Sequence, residues 1–173
     1  MVKVHIWKGD ITKLTIQCIV NAANSSLLGG AGVDGAIHRA AGPKLKDECR
    51  KLKGCAVGDA KITGAYDMIN IKHIIHTVGP QDQNPVKLAS CYSTSLNVAK
   101  ENQVREIAFP CIATGVYGYD NTKAAHVACE TLKNWLEFEE NYKSLDLVVF
   151  CVFLPIDERI YNELVPLYFG SQE

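Results

Sequence analysis

The chain has 173 residues, 47% of them apolar and 21% charged, so it is long enough for one full core and too apolar for a disordered segment. Its 18 Lys and Arg against 19 Asp and Glu leave a formal net charge of −1, which removes the basic footprint of a strong general nucleic-acid binder. No apolar run approaches a membrane span, and the first residues lack a signal-peptide pattern, so no membrane association is expected.

In chain order, residues 2–7 alternate with period two and predict a strand. Cys18-Ile19-Val20 closes on Asn21-Ala22-Ala23-Asn24, which predicts a buried strand ending there. After a glycine-rich stretch, residues 36–41 read as a helix that Gly42-Pro43 interrupts. Pro43 suits the first turn of a second helix through Leu45, Cys49 and Leu52. Strands are predicted at residues 59–65, 72–78, 105–111 and 145–153, with helices at 86–101 and 121–138. In the latter, Ala124, Ala128, Leu132, Trp135 and Leu136 share one face. A closing helix is expected over residues 157–168, with Pro166 able to shorten it. The alternation predicts a single α/β domain over residues 1–173, its buried sheet covered by helices on both faces. In such folds ligands bind beyond the carboxyl ends of the strands, where the loops at residues 21–34 and 112–119 fall.

The seven cysteines form no CxxC pair and are odd in number, so they read as reduced thiols of a cytoplasmic or nuclear chain. The five histidines show neither HExxH nor a Cys/His zinc spacing, and no metal site is expected.

In the first loop, glycines allow backbone N–H groups to approach an anion, and the following helix adds its positive end. Gly30, Gly32 and Gly35 formally satisfy GxGxxG. Yet Gly30 stands too far from Asn21 for the tight strand-to-glycine turn, and Asp34 would crowd a pyrophosphate inside the motif. Asn24 closing a turn and Asp34 capping a helix near Gly35 is one reading. The other has them face one pocket, the amide holding a sugar hydroxyl and the carboxylate orienting or deprotonating water. The second loop, residues 110–120, again joins a strand to a helix, with Asp120 or Asn121 as cap. Tyr117 and Tyr119 read as packing residues, with Tyr117 alternatively a ligand-facing aromatic. Asp10 reads as a turn residue or an acceptor for an adenine amino group, and Phe153 as core or as an apolar face for that ring.

Gly9-Asp10-Ile11-Thr12, Val20-Asn21-Ala22-Ala23-Asn24, Leu27-Leu28-Gly29-Gly30, Gly32-Val33-Asp34-Gly35-Ala36-Ile37-His38, Ile75-His76-Thr77-Val78-Gly79-Pro80 and Thr114-Gly115-Val116-Tyr117-Gly118 together resemble a macrodomain over essentially the whole chain. The glycine-rich loop and Phe150-Cys151-Val152-Phe153 look most like the MacroD-type branch. The resemblance implies a three-layer α/β/α sandwich with a mixed, mostly parallel central sheet. It also implies ADP-ribose binding, removal of mono-ADP-ribose from acidic side chains of proteins, and deacetylation of O-acetyl-ADP-ribose. By the same resemblance, Asn24 and Asp34 are the catalytic pair, Asn24 on a distal-ribose hydroxyl and Asp34 on the attacking water or a ribose hydroxyl. Asp10 would take the adenine amino group, Ile11 would frame the ring and Phe153 would pack on it. Gly32 and Val33 would lie along the pyrophosphate and distal ribose, with Thr114, Gly115, Val116 and Tyr117 closing from the other side. Ala22 would be a further substrate-binding position. No cofactor or metal is required, and a monomer is expected.

Three positions depart from the MacroD-type pattern: Ala31 for a fourth glycine, Ala113 for a serine and Asp120 for a proline. The alternatives are an ADP-ribose reader without turnover, a phosphatase acting on ADP-ribose 1″-phosphate, and an RNA or poly(ADP-ribose) binder, which the net charge disfavours.

Overall fold

The computed structural model describes residues 1–171. Among them, the apolar runs become six strands: β1 (Lys3–Lys8), β2 (Ile16–Ala23), β3 (Ala60–Gly64), β4 (Ile71–Val78), β5 (Glu106–Phe109) and β6 (Leu147–Val152). They form one sheet in the order β1-β6-β5-β2-β4-β3, parallel throughout except for β3 against β4. The helices are α1 (Gly32–Ala41), α2 (Pro43–Leu52), α3 (Pro85–Glu101), α4 (Asn121–Glu137) and α5 (Pro155–Phe169).

Period-two alternation divides the strands between two cores. Cys18, Val20, Ile75, Phe109 and Phe150 pack beneath α3, α4 and α5, with Leu96, Leu132 and Tyr161 from those helices. Ile19, Ile74, Ala108 and Val149 face the other way, against Ile37 of α1 and Leu45 and Cys49 of α2. The result is a three-layer α/β/α sandwich. None of its helices is long and apolar enough to cross a membrane among the described residues.

Two differences from the sequence reading shape the site. Strand β2 runs on to Ala23, so Asn21 is a fully buried strand residue rather than the first residue of a loop. Its partner in register on β4 is His76, also fully buried, and this pairing of distant segments keeps Asn21 in the ladder. Helix α1 begins at Gly32, four residues before the predicted start, with Ala31 as its N-cap. Asp34 is therefore not the cap but a buried member of the first turn. Helix α5 continues to Phe169 despite Pro166, which lies in its final turn. Asp120 is the N-cap of α4, its Oδ2 accepting from the Lys123 N–H at 2.9 Å. All seven cysteines are free thiols.

Candidate active site

The carboxyl ends of β1, β2, β5 and β6 open into one cleft of about 700 Å³, within the roughly 300–1,000 Å³ usual for small-molecule sites. All twelve residues that the resemblance assigns to catalysis and substrate binding line it. Asp10 and Ile11 come from the turn after β1, and Phe153 follows β6. Ala22 and Asn24 come from the end of β2, and Gly32, Val33 and Asp34 from the first turn of α1. Thr114, Gly115, Val116 and Tyr117 form the opposite wall, in the loop after β5.

Strand order fixes the layout. Asp10 and Phe153 lie at the β1–β6 end of the cleft, the loop after β5 stands in the middle, and Asn24 and Asp34 lie at the β2 end. At the first end, Asp10 Oδ1 accepts from the N–H of Thr12 at 2.9 Å and its hydroxyl at 2.7 Å. That fixes the carboxylate while leaving acceptor capacity on Oδ2. Phe153 is 72% exposed, an aromatic ring with little protein packed on it. Asp157, in the first turn of α5, is buried against the same cleft and accepts from Asn121 Nδ2 at 2.7 Å.

In the middle, Thr114 Oγ1 donates to the Cys111 carbonyl at 3.0 Å, and the Tyr119 N–H closes the loop on the Ala113 carbonyl at 2.9 Å. Ala113 sits at φ 68°, so this alanine holds the left-handed conformation that the turn requires. Across the cleft, no side chain caps the α1 N-terminus, and Gly32 and Val33 of its first turn form the wall. The unsatisfied N–H groups and dipole of that turn favour an anionic group.

At the β2 end, Asn24 does close a turn: its Oδ1 accepts from the Ser26 N–H at 3.1 Å and hydroxyl at 2.6 Å, and its Nδ2 donates to the Gly29 carbonyl at 3.0 Å. It also lines the cleft. Gly35 lets the loop lie against α1, because a Cβ there would stand 2.6 Å from the Gly30 carbonyl oxygen.

Asp34 is held from behind. Its Oδ1 accepts from Asn21 Nδ2 at 2.8 Å, and His38 Nε2 lies 3.4 Å from the same oxygen without hydrogen-bond alignment. Burial raises the carboxyl above the usual carboxylate range, while the Asn21 N–H and His38 pull it back. Asn21 Nδ2 is also 3.1 Å from His76 Nδ1, and His76 Nε2 is 2.9 Å from Thr63 Oγ1. Burial lowers the His76 pKa to about 3, so the ring is neutral at physiological pH. Asn21 Oδ1 finds no partner among the protein groups, an arrangement that costs about 1–3 kcal/mol when buried.

Sequence reasoning missed Asn21, His76, Thr63 and Asp157. The first three meet only through the pairing of β2, β4 and β3, and a single-letter pattern carries no such register. Asp157 had a readable signal, an acid in the first turn after a predicted strand. Among the described residues, no cluster of His, Cys, Asp and Glu is arranged to hold a metal ion.

The Macro domain family model matches residues 20–128. The chain is 52% identical to ADP-ribose glycohydrolase MACROD2 of Xenopus laevis, over 99% of this chain but 43% of that protein. It thus spans less than half the length of that relative. It is 49% identical to the macro domain-containing protein CT2219 of Chlorobaculum tepidum, covering 94% of this chain and 95% of that one. The fold superposes with a TM-score of 0.90 on the Trypanosoma brucei macrodomain in complex with ADP-ribose, at 39% identity over 94% of this chain and 69% of the other. A cleft with an uncapped helix end on one wall, a glycine-bearing loop on the other and a buried Asp at its β2 end thus comes with sequence and fold likeness over nearly the full length, and the chain belongs to the macro domain family.

Proposed function

We propose that this chain binds ADP-ribose and hydrolyses the ester that joins its distal ribose to a carboxylate. The substrates are proteins mono-ADP-ribosylated on acidic side chains, and O-acetyl-ADP-ribose. Water adds across the ester, giving ADP-ribose and a free carboxylic acid, which is acetic acid for the small substrate. One observation carries this reading: Asn24 and Asp34 converge on Gly30 at one end of a cleft walled by an uncapped helix end and a glycine-bearing loop.

The ligand runs along the strand ends. Adenine lies at the β1–β6 end, its amino group on the remaining Asp10 oxygen and its ring on Phe153, with Ile11 beside it. The pyrophosphate passes between the α1 N-terminus and the loop of Thr114 to Tyr117, where backbone N–H groups meet its charge without a cation. The distal ribose then lies over Ala22, with the Asn24 amide on a hydroxyl and Asp34 Oδ2 on the attacking water or the neighbouring hydroxyl. A carboxylate whose pKa burial raises is a stronger base than a solvated one. Catalysis is chiefly positioning and electrostatics. The glycohydrolase name of the MACROD2 relative and the ADP-ribose bound to the trypanosomal macrodomain support the reading.

The test is release of ADP-ribose from a protein mono-ADP-ribosylated on Glu or Asp, by the parent chain, Asp34→Ala and Asn24→Ala, with ADP-ribose affinity measured by calorimetry. Turnover by the parent and slowed turnover with retained binding in the variants are expected. Binding without turnover in the parent would make the chain a reader.

A further inference from the structure

Asp34 is the front of a buried polar chain, and the direction of that chain can be worked out. Asn21, His76 and Thr63 are all buried, on the sheet face beneath α1 and α2, and none lines the cleft. The ring of His76 meets a group from each element packed on it. Asn21 of β2 is at Nδ1, and Thr63 of β3 is at Nε2. Cys49 of α2 has its sulfur 4.0 Å from Nε2, and the His38 ring of α1 lies 6.4 Å away between centroids. Burial pushes the Cys49 thiol up to about 11, so it brings no charge.

A neutral imidazole has one N–H and one lone pair. The Asn21 amide has two possible orientations, and its neighbours choose between them. With oxygen in place of Nδ2, two acceptors would face each other at the 2.8 Å that separates Asn21 from the Asp34 carboxylate. With Nδ2 there, one N–H serves Asp34 Oδ1 and the other needs an acceptor at 3.1 Å, which is His76 Nδ1. The ring proton then sits on Nε2 and is donated to Thr63 Oγ1, whose hydroxyl donates to the Gly64 carbonyl at 3.0 Å. Asn21 Oδ1 finds no protein partner in this orientation, so the two N–H bonds, to Asp34 and to His76, are what hold the amide.

We propose that His76 is a positioning residue: as the Nε2–H tautomer it accepts one N–H of Asn21 and thereby locks the amide with its other N–H on Asp34 Oδ1. It does not line the cleft and acts only through Asn21. The catalytic consequence rests on the assignment of Asp34 above; the hydrogen-bond chain does not.

The direct test is long-range 1H–15N correlation on the full labelled chain, without substrate. Nδ1 is expected to appear as the unprotonated nitrogen and Nε2 as the protonated one, unchanged between about pH 5 and 8. A proton on Nδ1, or an imidazolium in that range, overturns the proposal. The second test follows the Asp34 carboxyl by 13C titration in the parent, His76→Leu and His76→Asn. His76→Leu releases the amide whose N–H lowers the Asp34 pKa, so that pKa rises. His76→Asn keeps an acceptor near the place of Nδ1 and restores it toward the parent value. An unchanged Asp34 titration in His76→Leu overturns the proposal. Should His76→Leu fail to fold, Thr63→Val takes its place: it removes the acceptor of Nε2–H, and the same rise is expected, smaller. In turnover, His76→Leu lowers kcat by up to about 100-fold, the scale of a small misplacement, with ADP-ribose affinity kept. A parent without turnover would sink the hydrolase reading alone, because the tautomer and the Asp34 titration still decide the role of His76.

Discussion

Asn24 Nδ2 and Asp34 Oδ2 close on the same point from two elements: a Cβ on Gly30 would stand 3.3 Å from the first and 3.1 Å from the second. The loop after β2 and the first turn of α1 are thus held in contact by a missing side chain. Gly30 does not occupy the left-handed region, so its backbone accepts alanine. Gly30→Ala should therefore fold with stability within about 1 kcal/mol of the parent. The methyl must displace Asn24 or Asp34 by a few tenths of an ångström, and if the two act as proposed, turnover should fall roughly 10- to 100-fold. Thermal unfolding together with ADP-ribose release checks both parts, and unchanged turnover would mean that the two side chains do not act at this point.

The same crowding explains how much of the site was legible in the sequence. Asn24, Asp34 and the glycines between them sit in one stretch, and their residue types announced a pocket. The start of α1 was not legible because Gly32 enters it at φ 61°, in the left-handed region, and Val33 is a poor helix former. The support behind Asp34 was not legible, since Asn21 and His76 are 55 residues apart and meet through parallel register. Strands and helices came through within a few residues because their apolar period is local.

Acid and neutral conditions should act on the two buried titratable groups in opposite senses. His76 is depressed from 6.5 to about 3, so its contribution to stability is present above about 6.5 and is lost as pH falls toward 3. The loss amounts to at most about 1.4 kcal/mol per pH unit. Asp34 is raised above 3.8, so its contribution is present below that value and is lost as pH rises through its folded pKa. At neutral pH Asp34 is therefore a burden on the fold. Asp34→Asn, whose amide oxygen can still accept from Asn21, should have a higher urea midpoint than the parent at neutral pH. The gain should shrink on acidification. A lower midpoint at neutral pH would mean that Asn21 and His38 outweigh the desolvation of the carboxylate.

The thiols should be slow. Burial raises Cys49 and Cys55 to about 11, and it raises Cys111, which borders the cleft, as well. Because the thiolate is the reactive form, titration of the native chain with a thiol-specific disulfide reagent at neutral pH should proceed far more slowly than after unfolding. All seven should then react in denaturant. A fast native thiol would locate a cysteine whose surroundings open in solution.

Phe153 separates ligand contact from folding more cleanly than any buried residue of the cleft. At 72% exposure it loses little packing on truncation, so Phe153→Ala should leave thermal stability within about 0.5 kcal/mol of the parent. If the adenine ring packs on it, ADP-ribose binding should weaken by about 1–3 kcal/mol, the usual worth of one base on one aromatic face. Asp10→Asn is the companion variant. It keeps an acceptor for the Thr12 N–H and hydroxyl, so the turn after β1 survives. Its amide can present a second donor to the purine amino group, which should weaken adenine-bearing ligands more than ribose 5-phosphate. Calorimetry with ADP-ribose, inosine diphosphate ribose and ribose 5-phosphate reads the difference. Equal losses for all three ligands in both variants would move the base away from the β1–β6 end of the cleft.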